Sequence, residues 1–206
     1  MGRFITLEGG EGAGKSTQIR RLAAWLQESR HPDVVVTREP GGSPGAEAIR
    51  ELLVTGETDR WDAQTEALLH FAARRDHVER TIGPALERGA WVVCDRFADS
   101  TRAYQGIVQG AGLDLIESLY RLAIGDLKPD LTLILDLPVE IGLARAAERG
   151  GSDRYERMGK GFHEALRDAF LEIAEQDKAR CRVIDATGDE ETVAELIRST
   201  VEQRWP

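Results

Sequence analysis

The 206-residue chain carries 36 acidic and 27 basic side chains, for a net charge of −9. So acidic a surface does not neutralise a run of nucleic-acid phosphates, so no stable nucleic-acid partner is expected and any phosphate chemistry has to be local. Hydrophobic residues at 41% and charged residues at 31% exclude disordered and fibrous classes, and the length predicts a single domain over residues 1–206.

In chain order, short apolar runs alternate with long helical stretches. RFITLE (3–8) predicts a first strand, followed by a helix over 16–29 in which Ile19, Leu22, Ala23 and Leu26 share one face. VVVT (34–37) is the second strand, with helices over 46–54 and 65–88 behind it. WVVCD (91–95) precedes a helix over 113–127, and LTLILDL (131–137) precedes helices over 139–149 and 162–178. RVIDA (182–186) and a helix over 190–204 close the chain. Such alternation predicts right-handed βαβ crossovers and a three-layer α/β sandwich, with helices flanking a five-stranded parallel sheet. Cys94 and Cys181 lie in or beside these runs and read as buried thiols rather than a disulfide framework. No stretch has the ~18 apolar residues of a membrane span, nor is there an N-terminal apolar segment of signal-peptide length; a cytoplasmic protein with no membrane partner is expected.

Ligands of such sheets bind at the carboxyl ends of the strands. All five ends are rich in glycine, carboxylate or arginine: EGGEGAGKST, TREPGG, CDRFADST, DLPVE and DATGD. In the first, Gly9, Gly14, Lys15 and Ser16 spell G-x-x-x-x-G-K-S, a loop whose backbone N–H groups cradle polyphosphate. Gly9, Gly10, Gly12 and Gly14 permit the sharp turn and close approach, with Ala13 and Thr17 completing the cradle. Lys15 is expected to reach the β- and γ-phosphates of ATP, and Ser16 to offer a hydroxyl to Mg²⁺ at a helix N-terminus. Only four basic residues are lysines; the arginine bias suits planar grip on phosphate and is equally compatible with genomic composition.

After the third strand the chain reads DRFADSTRAYQG (95–106), and the second strand leads into TREPGG (37–42). Together these resemble the thymidylate kinase family, whose D-R-[FY]-x-x-S-x-x-A-Y-Q signature is matched at every fixed position, and the resemblance spans residues 4 to about 186. It implies a P-loop NTPase-type fold and a phosphotransferase that uses ATP to convert dTMP to dTDP, with Mg²⁺ as cofactor. It also implies that Arg38 and Arg96 hold the acceptor phosphate, that Asp95 and Glu39 organise Mg²⁺ and its waters, and that Thr101 and Gln105 face the pyrimidine edge. Tyr104 would crowd the sugar 2′ position, Glu11 would accept a hydrogen bond from the 3′-hydroxyl, and Pro40 and Ser100 would line the same site. Without the resemblance, Asp95-Arg96 reads as a salt-bridged strand end. An ungapped alignment of the helix from Thr65 puts the family's base-stacking aromatic at His70 and its thymine-binding arginine at Arg74. Here the chain departs, with histidine in place of phenylalanine and Phe71 beside it, so either ring remains open as the stacking partner. Arg50 lines the same pocket or a solvated helix face.

A nucleoside monophosphate is largely dianionic at neutral pH, so the reaction needs positioned positive charge rather than a general base. Lys15 and Arg96 are expected to supply it. Some family members add an arginine directly after the acidic P-loop residue, where this chain has Gly12. The arginine-rich segment 145–160 resembles the lid of the bacterial branch, with Arg149 as the catalytic arginine and Arg154 as second choice; alone, such a charge run reads as a solvated loop. Arg145 is expected along the adenine, with Ala186 on the opposite wall. Resemblance also implies a homodimer packed through helices, although the stripe Leu115, Leu119, Leu122 and Ala123 is equally compatible with a core face. Two alternatives are a kinase for another nucleotide or deoxynucleoside, and a nucleotide-binding regulator without turnover. The intact Lys15, Asp95 and Arg96 argue against the second.

Overall fold

A computed structural model of the chain describes residues 2–29, 31, 33–149 and 154–206, with Arg149 described by its backbone alone. The first half comprises β1 (Arg3–Glu8), α1 (Lys15–Ser29), β2 (Val34–Arg38), α2 (Pro44–Val54), α3 (Ala63–His77) and α4 (Gly83–Glu87). Then come β3 (Trp91–Asp95), the single turn α5 (Ala98–Thr101), α6 (Leu113–Ile124), β4 (Leu131–Asp136) and α7 (Val139–Arg149). The fold closes with α8 (Lys160–Gln176), β5 (Cys181–Asp185) and α9 (Glu190–Arg204).

The five strands form the expected parallel sheet, in the order β2-β3-β1-β4-β5. The central strands β1, β3 and β4 are buried on both faces, which explains why they read as continuous apolar runs, whereas the edge strands β2 and β5 are partly exposed. Ile5 and Leu7 point to the face covered by α1 and α9, against Leu22, Leu26 and Ile197. Phe4, Val92 and Cys94 point to the other face, against Phe71, Ile116 and Tyr120. The register pairs Leu7 with Asp95, so the P-loop leaves central β1 beside the Asp95-Arg96 end of β3. No helix of the described residues is long and apolar enough to cross a membrane.

One helix expected over 65–88 is broken in the structure. Gly83 N–H bonds back to the carbonyl of Val78, and Val78–Ile82 forms a widened π turn between α3 and α4. Pro84 has no N–H to give an α-helical ladder, so the wider turn takes up the defect. A second π segment, Arg102–Val108, was not legible as a helix in the sequence. It buries Tyr104 and Gln105, two consecutive side chains, on the cleft side of the fold. Helix α6 stops at Gly125, whose φ of 70° ends it before residue 127.

A polar network runs through the core beneath the site. Asp99, 1% exposed, binds Arg180 through both oxygens at 2.5 and 3.1 Å and Arg102 at 3.0 Å. Arg180 also donates to the Thr132 hydroxyl at 2.6 Å, which lies 2.8 Å from that of Thr6. Removing one partner of a buried ion pair leaves the others without compensation. Asp99→Ala is therefore expected to lower the unfolding free energy by about 3–5 kcal/mol, measured by urea denaturation.

Candidate active site

The P-loop is built as its spacing requires, with an added constraint at Gly12. Gly12 has φ +69°, and a Cβ there would lie 1.9 Å from the carbonyl oxygen of Gly142 in α7. A Cβ at Gly142 would in turn lie 2.4 Å from the carbonyl oxygen of Glu11. No side chain fits at 12, so an arginine cannot be carried at this position without moving α7. Gly10, by contrast, has no positive φ, and a Cβ there would meet no atom within 4 Å, so neither need explains it. Lys15 is buried and donates to the carbonyls of Gly9 (3.1 Å) and Gly10 (2.8 Å). Burial and the nearby Arg96 charge lower its pKa. Ser16 Oγ donates to Asp95 Oδ2 at 3.2 Å, bringing together the two oxygens expected at a metal.

Arg96 sits at the turn after β3 with φ +68°, a conformation uncommon for a residue with a side chain. It is held there by its own N–H to Leu7 O (2.9 Å) and by the next N–H, Phe97, to Glu8 Oε1 (2.8 Å). Its guanidinium donates to Gly9 O, Ser100 Oγ and Glu11 Oε1 at 3.0, 3.1 and 2.8 Å. Glu11 Oε1 also accepts from the Tyr104 hydroxyl at 3.1 Å. Burial pushes the Glu11 carboxyl up, but Arg96, Lys15 and Tyr104 together hold it down to about 2, so it is an ionised acceptor. Behind them Glu8 is fully buried and accepts from Ser100 Oγ at 2.6 Å. Burial and the Asp99 charge push its pKa up to about 7 against the pull of Arg96.

At the far end of the cleft, Arg74 is 2% exposed. It donates through Nε to Glu39 Oε2 (2.7 Å) and through Nη2 to Phe97 O and Thr101 Oγ1 (both 3.1 Å). Its Nη1 has no hydrogen-bond partner among the described residues. The second oxygen of Glu39 is taken by His77 Nδ1 at 3.0 Å, and His77 Nε2 lies 2.6 Å from Thr37 Oγ1. Glu39 thus serves first as the buried counter-ion of Arg74, a role its placement as a metal-site residue did not foresee. Thr101 lies behind Arg74 rather than on the cleft wall.

His70 and Phe71 separate cleanly. His70 lines the cleft, while Phe71 points into the core, edge-on to Tyr120 with ring centroids 6.3 Å apart. Of the two rings left open as the stacking partner, only His70 faces the cleft, since consecutive helical residues face about 100° apart. Arg154, expected as a mobile lid arginine, is also placed differently: it is fully buried, 2.5 Å from Glu66 Oε1, with Nε on Leu53 O and Nη1 on Thr58 O. Its charge is spent on a carboxylate inside the fold, and it does not line the cleft. The side chain of Arg149 and residues 150–153 lie outside the described residues.

Two clefts meet at the P-loop. One, of about 240 Å³, runs from Glu11 past Arg96, Arg38 and Pro40 to Arg50, His70, Arg74 and Gln105. The other, of about 420 Å³, lies on the opposite side and includes Thr17, Arg145 and Ala186. Gly12, Ala13, Gly14 and Ser16 line both. Arg50 lines the first cleft and donates to Pro40 O at 2.8 Å, so it is not simply a solvated helix side chain. Arg38 is exposed and paired with Glu47 at 3.2 Å. Sequence reasoning missed Glu8, Glu66, His77 and Tyr155. For Glu66 a signal was present: Glu66, His70 and Arg74 recur every four residues, a polar stripe beside the Ala67 and Phe71 face that packs into the core.

A family model described as thymidylate kinase matches residues 7–197. The chain is similar to the thymidylate kinase of Caulobacter vibrioides, at 61% identity over 99% of this chain and 98% of that protein. It is also similar to that of Rhodopseudomonas palustris, at 58% identity over 98% of this chain and 90% of that protein. The crystal structure of thymidylate kinase from Ehrlichia chaffeensis superimposes with a TM-score of 0.80 at 35% identity, covering 97% and 98% of the two chains.

The raised pKa of Glu8 has a sign that can be measured. A folded-state value of about 7 against an ordinary 4.5 means folding favours the protonated acid. That contribution is present in full below about pH 4.5 and is lost as pH rises to about 7. His70, whose pKa burial and then Arg74 lower to about 3, acts in the opposite sense from pH 6.5 downward. The difference between wild type and Glu8→Gln isolates Glu8. The variant's Tm, followed from pH 4.5 to 7, should lack the decline that Glu8 contributes; parallel curves would remove the assignment.

Proposed function

The chain belongs to the thymidylate kinase family, and we infer that it transfers the γ-phosphoryl group of ATP to dTMP, giving dTDP and ADP. The observation that carries this reading is the pair of clefts sharing one wall of P-loop residues. Two phosphorylated ligands seated in them meet phosphate to phosphate across Gly12–Ser16. Arg145 and Ala186 mark the ATP side, and His70, Arg74 and Gln105 the side of the acceptor base.

A phosphate oxygen of dTMP forms a bond to the γ-phosphorus of ATP as the bond to the β,γ-bridging oxygen breaks, and that electron pair leaves with ADP. The acceptor arrives as a dianion, so no side chain has to remove its proton. The barrier is the mutual repulsion of two anions and the charge spread over the transferring group. Lys15 exchanges the Gly9 and Gly10 carbonyls for phosphate oxygens, and Arg96 and Arg38 hold the acceptor phosphate. Releasing Arg38 from exposed Glu47 costs little, since surface ion pairs contribute about 0–1 kcal/mol. Glu11, ionised and acceptor-only, suits a 3′-hydroxyl, and the partnerless Nη1 of Arg74 suits a thymine carbonyl.

The Ser16 hydroxyl and Asp95 carboxylate at 3.2 Å fit Mg²⁺, a cation that takes few protein ligands and completes its shell with water and substrate phosphates. Ser16 and Asp95 would hold the ion, which would offset negative charge on the ATP phosphates. Glu39 stands behind these groups with both oxygens engaged. We assign the additional catalytic arginine to Arg149, on the resemblance of its segment to a bacterial lid. A homodimer belongs to the same reading; Leu122 of α6 is 85% exposed and Leu68 of neighbouring α3 55%, whereas Ile116, Tyr120 and Ile124 form the buried face of α6. Free, buried Cys94 and Cys181 accord with a reducing cytoplasm.

ADP release measured with ATP, Mg²⁺ and each nucleoside monophosphate in turn tests the assignment. Turnover is expected with dTMP above all others, and its absence with dTMP would sink the reading. Lys15→Ala should remove most turnover. Arg149→Ala should lower kcat with KM for dTMP nearly unchanged, and an undiminished kcat would take Arg149 out of the mechanism.

A further inference from the structure

Glu66 lies in the first turn of α3, fully buried, and lines neither cleft. Three side chains that do line the acceptor cleft nevertheless take their orientation from it. Gln105 Nε2 donates to Glu66 Oε2 at 2.9 Å, and the Tyr155 hydroxyl donates to the same oxygen at 3.2 Å. His70 Nε2 lies 3.1 Å from that hydroxyl. Arg154 Nη1 sits 2.5 Å from the other oxygen, a charge contact that cancels the Glu66 charge inside the fold.

We propose that Glu66, neutralised by Arg154, is the positioning residue that makes the acceptor cleft select a 4-oxo pyrimidine, thymine or uracil, over the 4-amino pyrimidine cytosine. The inference deepens the dTMP reading and rests on it. An ionised carboxylate is acceptor-only, so every group facing it must present a donor. Gln105 therefore turns its NH₂ inward to Glu66, and its Oε1 is the amide atom directed away from Glu66, on a residue of the cleft wall. The flipped amide would set two acceptors against each other in a buried site. Tyr155 has one hydroxyl proton and gives it to Glu66, so it accepts from His70 Nε2–H. That fixes the histidine as the neutral Nε2–H tautomer, in keeping with its lowered pKa of about 3, caused first by burial.

Arg74, which lines the same cleft, supplies a donor, Nη1, that has no partner among the described residues. A donor from Arg74 and an acceptor from Gln105 match O4 and N3–H of thymine or uracil. Cytosine offers N4–H₂ and a bare N3, so each contact becomes like facing like. Sites that hydrogen-bond a substrate edge reject analogues lacking the match far more strongly than apolar pockets do.

The decisive substitution is Glu66→Gln. Its carboxamide oxygen is drawn to Arg154, which turns the new NH₂ toward Gln105 and forces that amide to flip, presenting a donor to the cleft. The readout is the ratio of kcat/KM for dUMP to that for dCMP, a pair that lacks the 5-methyl group in both members. We expect a ratio of about 100 or more in the wild type and a fall of at least about tenfold in Glu66→Gln, with KM for ATP unmoved. Glu66→Asp, which keeps an acceptor-only carboxylate, should retain the preference. The double variant Glu66→Leu/Arg154→Met, which leaves no unpaired buried charge, should lose it as well. An unchanged ratio in Glu66→Gln, or an equal fall for both substrates, overturns the proposal, because packing damage alone lowers both alike. So does a wild type that uses dCMP as well as dUMP, a result that stands even if no variant folds. Failure of wild-type turnover with dTMP would instead overturn the underlying assignment.

Discussion

A carboxylate taken out of water must recover its lost hydrogen bonds from the protein, and four are buried among the described residues: Glu8, Glu39, Glu66 and Asp99. Each gathers donors. Asp99 fixes Arg180 and Arg102, Glu39 fixes Arg74 and His77, Glu66 fixes Arg154, Gln105 and Tyr155, and Glu8 fixes the turn carrying Arg96. A guanidinium held on one edge by a carboxylate is rigid at low entropic cost, and its remaining N–H groups have a set direction. The partnerless Nη1 of Arg74 is such a remainder. The acidic residues of the interior thus determine where the cationic surface of the cleft points.

The same device reconciles a net charge of −9 with a function that handles two phosphorylated nucleotides. Long-range attraction is not what brings the ligands in, since a Debye length of about 8 Å screens the distant surface. Within the cleft the balance is local: the five cations Lys15, Arg96, Arg74, Arg38 and Arg50 outnumber the four acids Glu11, Glu39, Asp95 and Glu156 among its lining residues. Two of those acids have other work, Glu39 as counter-ion to Arg74 and Glu11 as an acceptor kept ionised by Arg96 and Lys15.

How legible this was depended on whether local spacing or long-range packing decided the outcome. The five strands and the P-loop follow from runs of adjacent residues, and the structure forms them nearly where the sequence placed them. The breaks at Pro84 and in Arg102–Val108 depend on where a ladder defect is absorbed, which propensity does not encode. Of His70 and Phe71, the residue facing the cleft is settled by the helix phase, and the stripe Glu66-His70-Arg74 would have fixed it had the polar positions been counted as well as the apolar ones. Arg154 is the instructive miss. Composition marks 145–160 as a solvated basic run, yet one member is fully buried because its partner lies 88 residues earlier on α3. No local window contains that pairing.

Burial of Arg154 also changes what the segment after α7 can do. Arg145 lines the cleft of about 420 Å³, whereas Tyr155 and Glu156 line that of about 240 Å³. Arg154 is pinned to Glu66 and to the carbonyls of Leu53 and Thr58. Arg145 lies on α7, whose Gly142 is in backbone contact with the P-loop at Gly12. The contact that denies position 12 an arginine side chain is thus the contact that packs the phosphate cradle against α7, the helix that carries Arg145.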